Sequence, residues 1–260
     1  MNNTNNNVNS TFPKTQKKII IAEKPSVGKT YANILGVTQM KDGYMESDAW
    51  IVTWSVGHLI ELSYPEAYDP ALKKWAMETL PFLPERYKYN VISSARKQFN
   101  VVKSLYNRSD IETIYYAGDS GREGLYIQML IRMAAGHKKG VEEKVVWIDS
   151  QTKETVLNGI RDAKPLSVYN NLTSAGYMRG IEDYSLGINF SRILSLLYGA
   201  KINAEVGTAK YTPVAVGRVM TCVLGMIVAR EIEIKDFVST TFYKIANQIE
   251  VDGNVIKGEW

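Results

Sequence analysis

Two short runs of β-branched and aromatic residues, each closed by an acid, constrain this chain more than any other feature. Lys18-Ile19-Ile20-Ile21-Ala22 is closed by Glu23, and Thr113-Ile114-Tyr115-Tyr116-Ala117-Gly118 is closed by Asp119. Neither run alternates apolar with polar residues, so each reads as a strand covered on both faces, the condition found in parallel sheets. A helical pattern follows each run. Ser26 to Leu35 places Val27, Tyr31 and Ile34 on one face with Ser26 as the expected N-cap. Glu123 to Ala135 turns Tyr126, Ile127, Leu130 and Ile131 inward. Further strands are expected at Ala49–Ser55 and Lys144–Ile148. A further helix is expected at Ser94–Tyr106, with Phe99, Val102 and Leu105 on one side. Strands alternating with helices give an α/β fold with a doubly wound parallel sheet.

After Gln151 the period changes. Thr152–Arg161, Asn170–Ala200 and Val214–Lys235 are helical in spacing, and Thr241–Glu250 alternates like a strand. The expected organisation is a disordered tail (1–17), an α/β domain (18–160), a helical segment (161–235) and the start of an incomplete β domain (236–260). The tail is rich in Asn and carries neither a charged leader nor an apolar core, so it does not read as a secretory signal. No apolar stretch is long enough to span a bilayer, and a cytoplasmic location without membrane contact is expected. A 45% hydrophobic and 22% charged composition excludes a collagen, a coiled coil and a wholly disordered chain. The single cysteine, Cys222, rules out an internal disulfide and a Cys-based zinc site; its apolar neighbours place it in a core. The net charge of +4 is compatible with a polyanionic partner.

In open parallel sheets, ligands bind outside the carboxyl ends of the strands. If the two acid-closed strands are neighbours, Glu23 and Asp119 meet there. Glu123, four residues on, starts the next helix, and Lys24 and Arg122 lie alongside. Three carboxylates of this kind suit Mg2+, which prefers hard oxygen ligands and keeps waters for substrate phosphates. They also suit plain strand ends and a helix N-terminus, where Glu123 favours the macrodipole; the pattern leaves both readings open. A rival is a phosphate-binding loop, because Gly28-Lys29-Thr30 follows a strand. That motif needs its first glycine where Glu23 stands, and a carboxylate there repels phosphates.

Glu23-Lys24-Pro25-Ser26 before a helix, with Gly118-Asp119-Ser120-Gly121-Arg122-Glu123-Gly124 downstream, resembles the TOPRIM domain of type IA DNA topoisomerases of the topoisomerase III branch. Gly57-His58-Leu59, Trp75 with Leu80-Pro81-Phe82-Leu83-Pro84, and Trp147-Ile148-Asp149-Ser150 match further segments. So do Arg179, Asp183, Gly187, Asn189 and Arg192, and then Gly217-Arg218-Val219. The resemblance implies a Rossmann-like TOPRIM sheet, a helical domain segment and the start of a β arch. It implies Mg2+ held by Glu23, Asp119 and Glu123, and catalytic roles for Glu23, Lys24 and Arg122, with Lys24 on the scissile phosphate. It also implies contacts to single-stranded DNA from His58, Arg179, Arg192 and Arg218. Taken alone, His58 reads as a packed or capping histidine and the arginines as surface ion pairs.

The chain departs from the family in two places. Gly121 stands where a second Asp is usual, so the expected metal site has one carboxylate fewer. The nucleophilic tyrosine of a Tyr-Pro-Arg-Thr-like motif is not found. Ser63-Tyr64-Pro65-Glu66 carries Glu where Arg is needed, and Tyr64 reads as a loop packing residue. The chain is therefore expected not to cleave DNA by itself. The alternative is a non-catalytic module that binds single-stranded DNA or a partner. The basic stretch from Arg86 to Arg108, interleaved with Tyr87, Tyr89, Phe99 and Tyr106, is a second candidate DNA path. Phe99 and Tyr106 read rather as core.

Overall fold

In the computed structural model, which describes residues 16–207 and 209–259, strand β1 (Lys17–Ala22) runs parallel between β4 (Trp50–Trp54) and β7 (Ile111–Ala117). Most of the Asn-rich tail lies outside the described residues. The chain divides into two units, 1–215 and 216–260.

The first unit is built on a seven-stranded sheet. The remaining strands are β2 (Gln39–Lys41), β3 (Tyr44–Glu46), β8 (Glu142–Val145) and β9 (Lys164–Pro165), in the order β2-β3-β4-β1-β7-β8-β9. The four central strands are parallel. The two strands at one edge and the single strand at the other pair antiparallel, an addition that the alternating pattern did not carry. Between β4 and β7 lie β5 (Ile60–Leu62) and β6 (Tyr89–Val91), which form a separate two-stranded sheet. The 144–148 strand starts earlier and ends at Val145, although Val146 N–H still donates to the Tyr116 carbonyl at 2.9 Å.

The lack of alternation in β1 and β7 has its explanation in two cores. Ile19, Ile21, Ile114 and Tyr116 face α2 (Arg96–Tyr106) and α3 (Arg122–Ala135), where they meet Phe99, Val102, Leu125 and Leu130. Ile20, Ala22, Tyr115 and Ala117 face the opposite way, toward Tyr31 of α1 (Pro25–Ile34) and Val156 of α4 (Lys153–Arg161). Successive residues point to opposite faces and both faces are covered, so every position in the run must be apolar. Helix α1 starts at Pro25, not after Ser26. Proline is favoured at the first helical position, so Lys24 takes the N-cap place with no side-chain cap bond. A long helix, α5 (Asn170–Val206), packs on α3.

A buried ion cluster closes the far end of the sheet. The Glu46 carboxylate accepts from Lys17 Nζ at 2.8 Å and Lys41 Nζ at 3.0 Å, and pairs with Arg108 Nη1 at 2.9 Å. Burial alone would raise its pKa. The hydrogen bonds from the three cations outweigh that and push it down to about 2 from 4.5. A depressed carboxylate stabilises the fold above its ordinary pKa, and that stability is lost as pH falls through the folded value. The shift corresponds to about 3 kcal/mol. Glu46→Gln is expected to lower unfolding stability in urea by about that amount at pH 7. The difference from the wild-type chain should narrow as pH is lowered from 5 toward 3.

The second unit holds α6 (Arg218–Lys235) and a hairpin of β10 (Ala246–Val251) and β11 (Asn254–Glu259). The helix opens at Arg218, four residues later than its spacing suggests, and the strand at Ala246. Cys222 is exposed on α6, which corrects its placement in a core.

Candidate functional site

The register that pairs Ala22 with Ala117 brings the two acid-closed strand ends side by side. Glu23 is 7% exposed, and its Oε2 accepts the Asp119 backbone N–H at 2.8 Å. The Ser55 hydroxyl donates to the Glu23 carbonyl at 2.8 Å, which fixes the backbone at the turn. Lys24 Nζ stands 3.7 Å from Glu23 Oε1 and 3.7 Å from Asp119 Oδ2. Helices α1 and α3 both start here without side-chain caps, at Lys24 and Gly121, so their free N–H groups and positive dipole ends flank the acids.

Gly124 sets how closely α3 approaches. A Cβ there would collide with the carbonyl oxygen of Asp119, so only glycine lets the first turn of α3 lie against the strand end. Gly121 is a different case. Its backbone is extended (φ −175°) and a Cβ would meet open space, so any residue fits that position.

Glu123 is at the start of α3 but turns to a different partner: its Oε1 accepts from His58 Nε2 at 2.8 Å. His58 also lies edge-on to Tyr126, 6.0 Å between ring centres. The structure therefore brings Glu23, Lys24 and Asp119 together and holds Glu123 to one side. Arg122 is the exposed first residue of α3.

The His58–Glu123 pair forms the rim of a cavity of about 690 Å³ between α3, β5, the 64–75 loop and α5. Arg179, Asp183, Tyr184 and Arg192 of α5 line it, facing Glu66, Lys73 and Trp75 of the loop. Three of the four residues implied as DNA contacts, His58, Arg179 and Arg192, thus share one cavity. Arg179 Nε donates to Asp183 Oδ2 at 2.9 Å, one turn along the helix. Arg192 is 3% exposed. Its Nη1 donates to the Leu72 carbonyl at 3.0 Å, its guanidinium lies 5.3 Å from the centre of the Trp75 ring, and its Nε has no hydrogen-bond partner among the described residues. Burial holds its pKa below the ordinary guanidinium value, against the opposing pull of Glu66. The fourth residue, Arg218, opens α6 in the second unit.

The loop wall hangs on α5 by residues that pattern reading did not single out for this role. Asn189 Oδ1 accepts the Phe82 N–H at 2.6 Å, and its Nδ2 donates to the Phe82 carbonyl at 3.0 Å. The Tyr184 hydroxyl donates to the Ser63 carbonyl at 2.8 Å, and the Tyr87 and Ser185 hydroxyls are 2.8 Å apart. The one signal was the helical spacing of Asn189 and Arg192, which places two polar side chains on a face that must meet something polar. Tyr64 is 59% exposed and lines the cavity, contrary to its reading as a packing residue.

One alternative falls away, and a second keeps only part of its face, with Arg86, Arg96 and Lys103 exposed. Gly28-Lys29-Thr30 lies inside α1, Gly28 packs on the Trp54 ring, and the Thr30 hydroxyl donates to the Ser26 carbonyl at 3.1 Å, so no phosphate loop is present there. In the basic stretch, Phe99 and Tyr106 are core, Lys97 pairs with Asp42, and Arg108 binds Asp110 and Glu46.

Among the described residues, no group of three or more His, Cys, Asp or Glu side chains is gathered as a metal shell. Glu23 Oε1 and Asp119 Oδ2 still fit magnesium, which is commonly held by one or two carboxylates with the remaining positions left to water and phosphate. The donor set is all oxygen, with no soft ligand to favour zinc or copper.

The sheet and its acidic strand ends define a domain of the Toprim class, and comparison with known proteins agrees. The Toprim domain model matches residues 18–149, and a DNA topoisomerase model matches residues 167–260. The chain belongs to the type IA DNA topoisomerase family, whose Toprim domain it carries. It is 39% identical over 232 residues to DNA topoisomerase 3 of Bacillus cereus, covering 89% of this chain and 30% of that protein. It is 38% identical over 244 residues to DNA topoisomerase 3 of Bacillus thuringiensis, covering 94% and 31%. To DNA topoisomerase 3 of Staphylococcus epidermidis it is 38% identical over 237 residues, covering 91% and 31%. The chain thus spans about 30% of the length of these relatives.

Asn189→Leu is expected to leave both peptide groups of Phe82 unpaired, at a cost of about 2–4 kcal/mol. Urea unfolding measures the loss. Hydrogen exchange at the Phe82 amide should speed up along with it.

Proposed function

We propose that this chain is the metal- and DNA-holding portion of a type I topoisomerase that cuts and rejoins single-stranded DNA. The observation that carries this reading is the placement of the Glu23–Lys24–Asp119 cluster and the Arg-lined cavity on the two sides of one helix start, with the Glu123–His58 pair between them. Glu23 and Asp119 are the residues that would hold Mg2+, and Glu123 would join them on leaving His58. The ion supplies positive charge to phosphate oxygens when bound. Lys24 and Arg122, with the uncapped starts of α1 and α3, give the anionic backbone its partners. His58 and Arg179 receive the strand in the cavity, where Trp75 and Tyr184 offer aromatic faces to bases; Arg192, implied as a further contact, is buried and holds the cavity wall through the Leu72 carbonyl instead.

Cleavage in this scheme is a transesterification. A tyrosine oxygen forms a bond to phosphorus, the bond from phosphorus to the sugar oxygen breaks, and the tyrosine proton ends on that sugar oxygen. Rejoining is the reverse, so no oxidant or energy source is consumed. No Tyr-Pro-Arg-like motif is present in this sequence, so the tyrosine would come from the part of the family's length that this chain does not span. We place the activity in the cytoplasm; among the described residues no helix is long and apolar enough to cross a membrane.

Anisotropy of a labelled single-stranded oligonucleotide tests the binding half. Binding should weaken steeply as salt rises, and Arg179→Ala should weaken it by about three- to tenfold. Binding that ignores both salt and Arg179 overturns this reading. Calorimetry tests the metal half. Asp119→Asn should abolish Mg2+ binding, and Gly121→Asp, which the open backbone accommodates, should tighten it by about three- to tenfold. Salt-dependent binding without any Mg2+ affinity would favour the non-catalytic module, to which the glycine at position 121 also points. Supercoiled plasmid should not be relaxed by this chain alone.

A further inference from the structure

Lys24 meets both acids of the paired strand ends. Glu23 uses Oε2 to accept the Asp119 N–H, which leaves Oε1 as its free oxygen. The Lys24 ammonium stands 3.7 Å from that oxygen and 3.7 Å from Asp119 Oδ2. One cation of the chain therefore already stands beside the two carboxylates that would hold a divalent ion. Lys24 is more than half exposed, so its long stem has open solvent into which to swing.

We infer that Lys24 is the internal counter-ion of the two carboxylates and competes with the divalent cation for them. The inference rests on the proposed metal site. Two cations a few ångströms apart repel each other, so entry of Mg2+ drives the ammonium out. The displaced ammonium then needs another anion, and a DNA phosphate arriving at the helix starts provides one. Metal binding and phosphate binding therefore help each other through Lys24, and the coupling is reciprocal. Lys24 acts here as a positioning residue that makes the acid pair receptive to metal when a phosphate is at hand.

Calorimetric titration of Mg2+ into the full chain and into Lys24→Met, at fixed ionic strength, tests this. Lys24→Met should bind Mg2+ about five- to thirtyfold more tightly, the range for removing one unit charge near 4 Å from a divalent ion in a water-like medium with and without salt screening. Lys29→Met, an exposed lysine further along α1, should change the affinity by less than about twofold because salt screens it. Adding Asp119→Asn to Lys24→Met should remove the gain. A short single-stranded oligonucleotide should raise the Mg2+ affinity of the wild-type chain more than that of Lys24→Met. Equal or weaker Mg2+ binding by Lys24→Met, with the wild-type chain binding normally, overturns the counter-ion role and leaves the metal site standing. Absence of Mg2+ binding in both chains overturns the metal site and the inference together.

Discussion

The parallel pairing of β1 with β7 is the constraint on which the rest of the site depends. Parallel strands in one sheet end on the same side, and neighbours lie about 4.8 Å apart. With Ala22 opposite Ala117, the residues that follow must share one small volume. Two acids there would repel each other unless something positive met them. The chain supplies that in three forms: the Asp119 N–H on Glu23, the Lys24 ammonium between the carboxylates, and two helix starts with free N–H groups. Proline at the first position of α1 belongs to the same arrangement, because it starts the helix one residue after Lys24 and leaves that lysine at the mouth.

Helix α3 ties this acidic end to the cavity. Its first turn carries Glu123 to His58 at the rim, and one turn later Tyr126 packs against α5. Gly176 and Gly180 of α5 lie over Tyr126, and a Cβ on Gly180 would collide with the tyrosine hydroxyl. The small residues let α5 come close enough for its polar face to hold the 63–88 segment through Tyr184, Ser185, Asn189 and Arg192. A displacement of α3 would be felt both at Glu123 and at the cavity wall, because the two share one rigid element.

Much of the first unit was legible in the sequence because its strongest signals are local. Unbroken β-branched runs followed by amphipathic helices led to the central strands and to α1 through α4, and left the meeting of Glu23 and Asp119 conditional on their strands being neighbours, which the β1–β7 pairing supplies. What was not legible depended on long-range contacts. The short edge strands β2, β3 and β9 have two or three residues each and carry no period of their own. The turn of Glu123 toward His58 joins residues 65 positions apart. The clamp of Asn189 on Phe82 joins residues 107 apart. Gln128, within the inward face of α3, is 1% exposed with both amide atoms unpartnered among the described residues, and a pattern of apolar neighbours carries no warning of that.

Cys222 marks the point at which a periodic pattern stops informing. The apolar residues of α6 recur at helical spacing, and a helix is what they form. Burial is a different property, since it needs a second surface of matching shape. In α1 and α3 the sheet provides that surface, and Tyr31, Leu125 and Leu130 are covered. From Arg218 to Glu259 every residue is exposed, Cys222 included. Taken by itself, the second unit has one helix and one two-stranded hairpin among its described residues, too little to cover the row. The difference lies in whether the topology brings a partner face to the row, which spacing along one element does not encode.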